Sequence, residues 1–204
     1  MASILDILNT NLGKELINKA SNKTGVSSNN VSSVLGMVLP LILGNFKNKI
    51  QEGYSEALNE MLEEAPNPFK FMTVFSQKET KELLQCGHDY GEMILGENFS
   101  SVINTISDSL NVDKEAVREI TTISIPVVIA ILSIQKKKEN INKDKDIEDL
   151  IDSALGSSSK YNNSFFDTIF NIKNDPNFIP EASEMVIGKK KKKDSILKGY
   201  TGGK

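Results

Sequence analysis

The chain has few of the residues from which catalytic and metal sites are usually built. Its 204 residues hold one Cys (Cys86), one His (His88), no Trp, and one Arg (Arg118) among 24 basic side chains. A single Cys rules out an intramolecular disulfide, and with one His there is no Cys/His zinc cage or multi-histidine centre, so neither metal nor cofactor is expected. Low cysteine usage makes the reducing cytoplasm the expected compartment. Without Arg clusters, bidentate reading of phosphates or base edges is not expected of the body. The sequence also lacks a P-loop, a dinucleotide-binding glycine pattern and a nucleophile elbow. Its longest apolar stretches, Val34–Leu43 and Ile123–Ile134, fall short of the roughly 20 residues that cross a bilayer, so they read as buried helices. Residues 1–6 carry no basic region before an apolar run, so no secretory signal is expected and the mature protein is read as starting at Met1.

What is present is an ordinary globular composition, 39% apolar and 25% charged, long enough to bury a core as one domain or two small ones. The net charge of −3 hides a segregation: residues 188–204 carry a net +6, leaving −9 on residues 1–187.

Displacing the chain by 86 residues aligns a first unit, about 4–47, with a second, about 90–133. Val31 falls on Val117, Val34 on Ile120, Leu39 on Ile125, Ile42 on Val128, and Pro40 on Pro126. The local chemistry recurs as well. Gly25 aligns with Asn111, the two residue types that best tolerate the left-handed conformation closing a helix. Val26 and Val112 follow as staple residues, Ser27 and Asp113 as N-caps, and Val31 and Val117 as the staple partners. The capping-box position holds Asn30 and Ala116, so no box is expected there.

Each unit therefore reads as an apolar lead-in, a helix, a tight corner and a second helix. The first helices carry one-sided stripes, Leu12, Leu16, Ile17 and Ala20 in one and Phe99, Val102, Ile103 and Ile106 in the other. Past their middles the second helices become apolar on nearly every side, which predicts two central, buried helices, each kinked or restarted at its proline. Gly44 opposite Ala130 suggests close helix crossing. Between the units, Tyr54, Ala57, Leu58, Met61 and Leu62 form a helical stripe, Phe69, Phe71 and Phe75 a hinge, and Ser76–Glu79 a capping box. After Lys138 a polar linker leads to a helix with Ile147, Leu150, Ile151 and Ala154 on one face, closed by Gly156, and then a loop at 157–163.

No run alternates with period two. The expected fold is all-α and multihelical: a two-unit domain over 1–137 with joining helices at 54–86, a helical extension over 138–187, and a flexible Lys-rich tail over 188–204.

The block VLGMVLPLILGN at 34–45 and the lead-in DYGEMILG at 89–96 resemble the YidB-like family of bacterial domains of unknown function, across residues 1–137. The resemblance implies an all-helical bacterial protein and brings no activity, substrate or catalytic residue with it. Some relatives continue into an aspartate-rich loop and a basic, Gly-rich C-terminus, and Phe165–Phe170 and the tail are similar in placement. In this chain, however, Asn171, Lys173, Asp175 and Pro176 stand where a calcium loop wants carboxylates and a glycine, which argues against a metal.

Cys86-Gly87-His88-Asp89 is the one place where a nucleophile, a base and a carboxylate lie together in sequence. Residues two apart on a helix face different ways, and Gly87 suggests an element boundary, so Cys86 reads as a buried small residue and His88-Asp89 as a turn. Glu63-Glu64 and Asp144/Asp146 read as solvated faces. Lys189, Lys190, Lys191, Lys192 and Lys193 are the candidate contacts for an anionic surface; no aromatic interleaves them, so nucleic acid is expected to bind weakly and nonspecifically at most. The function expected is that of a non-enzymatic helical protein working through protein contacts or self-association. The alternative is a peripheral membrane or envelope-associated protein using the apolar helices and the Lys tail.

Overall fold

The computed structural model describes residues 3–65, 77–96, 99–141 and 143–163. The Phe69/Phe71/Phe75 hinge, the Ser76 cap, the residue 171–176 loop and the tail with Lys189–Lys193 lie outside them.

A 3-10 turn, Ile4–Asn9, leads into α1 (Asn11–Thr24), α2 (Ser28–Gln51), α3 (Ser55–Glu64), α4 (Gln77–Leu95), α5 (Phe99–Leu110), α6 (Lys114–Lys138) and α7 (Asp144–Leu155). There is no strand among the described residues, so the fold is all-α.

The element starts follow from local hydrogen bonding. The Ser3 N–H donates to the Asp6 carboxylate at 2.7 Å. The Thr10 hydroxyl accepts from the Gly13 N–H at 3.1 Å and donates to the Ile7 carbonyl at 2.6 Å. Both contacts satisfy groups that a helix end leaves unpaired. A Cβ at Gly13 would collide with the Ile7 carbonyl, so glycine is what lets α1 fold back tightly on the turn before it.

At the two corners the same chemistry occurs 86 residues apart. Gly25 and Asn111 both adopt positive φ, 72° and 51°. The Ser21 hydroxyl donates to the Val26 carbonyl at 2.7 Å, and the Ser107 hydroxyl to the Val112 carbonyl at 2.6 Å. Ser27 then caps α2 by accepting from the Asn30 N–H at 3.3 Å, and Asp113 caps α6 by accepting from the Glu115 and Ala116 N–H groups at 3.0 and 3.1 Å. The lead-ins differ: a 3-10 turn precedes α1, whereas the end of the 19-residue α4 precedes α5.

The long helices α2 and α6 pack along one another. Val31, Val34, Ile42 and Phe46 from α2, and Val117, Ile120, Val128 and Leu132 from α6, are fully buried. Burying a side chain of this size contributes about 1.5–3 kcal/mol. The other helices surround the pair, α4 lying mainly on α6 and α7 mainly on α2, where Lys47 Nζ meets the Asp152 carboxylate at 2.7 Å.

Four expectations change. Only α6 is enclosed all round: 83% of its apolar window is buried, against 44% for α2. Gly44 makes no close crossing, because nothing stands within 4 Å of its Cβ position. Tyr54 is exposed and precedes α3, whose buried residues are Leu58, Met61 and Leu62. Gly87 is no boundary: α4 runs straight through it, because the tertiary contact it makes with α6 outweighs its low helix propensity.

That contact has a specific cause. Pro126 has no N–H, so the carbonyl of Thr122, one turn earlier, loses its intrahelical donor. Gly87 sits against this carbonyl so closely that a Cβ would collide with it, and the Cα–H at that position points at the oxygen. Such a contact substitutes weakly for the missing bond. Gly91, one turn further along α4, has its Cβ position 3.1 Å from Ile125 Cδ1 and keeps the two helices close.

Candidate functional site

The Cys86–Asp89 segment lies on α4. Cys86 is half-buried, and burial first, then the charge of Asp89, pushes its thiol up to about 12. A thiol held there is protonated at neutral pH and is a poor nucleophile. His88 is exposed, two residues and so about 200° around the helix from Cys86. Asp89 accepts from the Gln85 amide at 2.8 Å. The three side chains adjacent in sequence are thus not assembled into a catalytic group.

A second place was not legible as a site. Lys136, in the last turn of α6, has a side chain only 7% exposed, and its Nζ lies 3.1 Å from Glu63 Oε1 on α3. Beside them is a small cavity of about 240 Å³ lined by Leu62, Glu63, Lys136, Lys137, Asn140 and Ile141. A cation in a last turn also opposes the negative end of the helix dipole. The pair ties α3 to the end of α6. Glu63 is therefore not merely a solvated face, and nor is Asp146: Lys160 bridges Asp146 and Asp149 at 2.8 Å each, holding the 157–163 loop onto α7. The Lys160 hydrogen bond depresses the Asp146 carboxyl and raises the Lys160 amine. Among the described residues, no group of three or more His, Cys, Asp or Glu side chains is placed to hold a metal ion.

The third place is the outer face of α2. Ser33 and Asn48 are exposed, Met37, Pro40 and Gly44 are half-exposed, and Leu41 is 37% exposed. At helical spacing these six form one stripe. Residues 28–46 contain no charged side chain, so four turns of this surface are neutral. Of the six corresponding α6 positions, the middle four, Ile123, Pro126, Val127 and Ala130, are buried, and Glu119 and Ile134 at the ends are half-buried. The signal in the sequence was the change from Ile123, Val127 and Ala130 to Met37, Leu41 and Gly44, together with Asn48 in place of Ile134 at one end of the stripe.

Among the described residues two helices, Ser28–Gln51 and Lys114–Lys138, are long and apolar enough to cross a membrane by length and composition, although their uninterrupted apolar runs are short.

No curated protein and no solved structure matches the chain. A family described as bacterial protein of unknown function (DUF937) matches residues 6–135, from the 3-10 turn through nearly all of α6, and the YidB-like resemblance is a resemblance to this family. The matched region takes in α2 and α6 together with the elements that cover them, and the chain belongs to this bacterial family of unknown function.

Proposed function

We propose that the protein is a non-enzymatic, cytoplasmic helical protein, built as two related units, that acts through contacts with other proteins. The observation carrying this reading is the outer face of α2: a neutral, largely apolar stripe left open on a helix whose counterpart, α6, is enclosed. An uncharged helical face spanning several turns at a surface is the type of feature that marks interaction sites. The placement of His88 on a different side of the helix from Cys86, with a protonated thiol, supports a role other than catalysis.

The second reading, attachment at a membrane surface, draws on the same helix, since Ser28–Gln51 is apolar enough to enter a bilayer, and on Lys189–Lys193 as contacts for anionic headgroups. A photoreactive residue at position 41, compared with one at exposed Glu60, separates the two in living cells. Crosslinks to protein from position 41 and not from position 60 are the expected result. Crosslinks from position 41 to lipid alone would replace this reading with the membrane one.

A further inference from the structure

We propose that the cavity between the end of α3 and the last turn of α6 binds a small carboxylic acid with a short apolar chain, its carboxylate on the Lys136 ammonium and its chain against Leu62 and Ile141. The site is separate from the outer face of α2 and does not rest on the reading of that face.

The first argument is the cost of the lysine. The Lys136 side chain is only 7% exposed, and the 86-residue offset places it on Ile50, a buried apolar residue of the first unit. An alkyl side chain therefore serves the fold at this position, whereas a buried ammonium is costly unless it is well paired. Glu63 pairs with it through one oxygen, at 3.1 Å, and is itself 68% exposed. An ammonium has three N–H donors, so it can take a second acceptor from the cavity without giving up Glu63.

The second argument is the lining. Among the lining residues Lys136, Lys137 and Glu63 are charged, which gives the cavity a net +1 within a body that carries −9 over residues 1–187. Leu62 and Ile141 are buried and supply an apolar wall. A positive group beside alkyl side chains matches an anion that itself carries an alkyl chain. At about 240 Å³ the cavity is smaller than the roughly 300–1,000 Å³ of pockets that take drug-sized ligands, so the ligand is small.

The third argument separates a carboxylate from a phosphate. The cavity lies at the C-terminal end of α6, where the Gln135, Lys137 and Lys136 carbonyls accept from the N–H groups of Glu139, Asn140 and Ile141 at 3.0, 3.3 and 3.0 Å. These bonds occupy the lone pairs that would repel an anion most, and the negative end of the helix dipole remains. A monoanion on one ammonium tolerates that field. A phosphate dianion is suited instead to a helix N-terminus or an arginine fork.

Chemical-shift titration of the isotope-labelled full chain with sodium hexanoate at constant ionic strength tests this, with hexanol and inorganic phosphate as comparators. Saturable shifts at residues 62–63 and 136–141 are expected, with a dissociation constant in roughly the 1–20 mM range. Hexanol and phosphate should each bind about tenfold more weakly or worse. Lys136→Met should weaken hexanoate about tenfold or more, because it removes a charged hydrogen-bond donor. Its circular dichroism melt should be unchanged or raised, since the equivalent Ile50 is apolar. Glu63→Gln alters an exposed side chain and removes a competing carboxylate, so it should tighten hexanoate about two- to fivefold. A pair that only ties α3 to α6 would give no such gain, and this variant decides the matter even if Lys136→Met melts early. No saturation in the millimolar range, hexanoate binding indifferent to a folded Lys136→Met, hexanol or phosphate binding as tightly as hexanoate, or unchanged or looser binding in Glu63→Gln would each overturn the proposal.

Discussion

Gly87→Ala should destabilise the protein, although the same substitution at Gly36 or Gly44 should stabilise it. All three glycines lie inside helices, where alanine is favoured by about 0.5–1 kcal/mol through its lower backbone entropy cost. At Gly36 and Gly44 no atom lies within 4 Å of the added Cβ, so that gain is expressed in full. At Gly87 the Cβ would meet the Thr122 carbonyl inside the 3.0 Å approach that real Cβ atoms essentially never show. The obstacle is main chain within a helix, which cannot rotate aside as a flexible side chain would.

Helix α4 must therefore retreat, at an overpacking cost of about 1–3 kcal/mol. It also gives up the Cα–H contact to a carbonyl that Pro126 leaves without a donor, worth about 0.5–1 kcal/mol. Set against the propensity gain, the net loss is roughly 1–3 kcal/mol. Urea unfolding followed by far-UV circular dichroism measures it. Comparing three Gly→Ala changes removes most of the unfolded-state contribution, which is common to them. A Gly87→Ala protein as stable as Gly36→Ala would refute the close α4–α6 crossing.

Val31→Asp and Ile120→Asp, each placing a carboxylate at a fully buried position, should cost about 3–5 kcal/mol and lower the thermal midpoint sharply in a calorimetric scan; an unchanged midpoint in either would show the core to be misassigned. A double-mutant cycle of Lys136→Met with Glu63→Gln should return a coupling below about 1 kcal/mol, because Glu63 remains largely solvated, whereas a coupling of several kcal/mol would mean the pair is enclosed. The Cys86 thiol titrates near 12 in the native state and near 9.0 unfolded, so the unfolded chain loses its proton first: this group's stabilisation is complete below pH 9 and declines above it, and Cys86→Ser should flatten the stability profile between pH 9 and 12. Deleting residues 188–204 should leave the melt unchanged while reducing a salt-sensitive affinity for heparin; an affinity that survives the deletion would move the anionic contact elsewhere.

Most of the fold was legible because its corners are written in local chemistry. Gly25 and Asn111 mark the left-handed turns, Ser27 and Asp113 the caps, and neither depends on anything distant. Contacts between helices were not legible. Gly87 reads in the sequence as a helix terminator because its reason for being glycine, the Thr122 carbonyl, lies 35 residues away. Lys136 reads as one of three surface lysines, although the 86-residue offset places it on Ile50, a buried position, and a charge on a core position asks for a partner such as Glu63. The stripe on α2 was hidden for the opposite reason. Apolar periodicity shows which faces are able to be buried, and says nothing about how many neighbours exist to bury them.

The two prolines explain why such similar helices end in different surroundings. A proline inside a helix leaves one carbonyl without a donor, and a carbonyl in that state is costly if it is enclosed without a partner. The chain resolves this in two ways. On α6, which is enclosed, the Thr122 oxygen is met by a glycine of α4, and this fixes both the residue type at position 87 and the closeness of the crossing. On α2, the corresponding residue, Gly36, is half-exposed and not enclosed. Among the described residues, the glycine-bearing helix that makes this close crossing, α4, is engaged on α6. Among the described residues, the outer face of α2 is the one long-helix face left open.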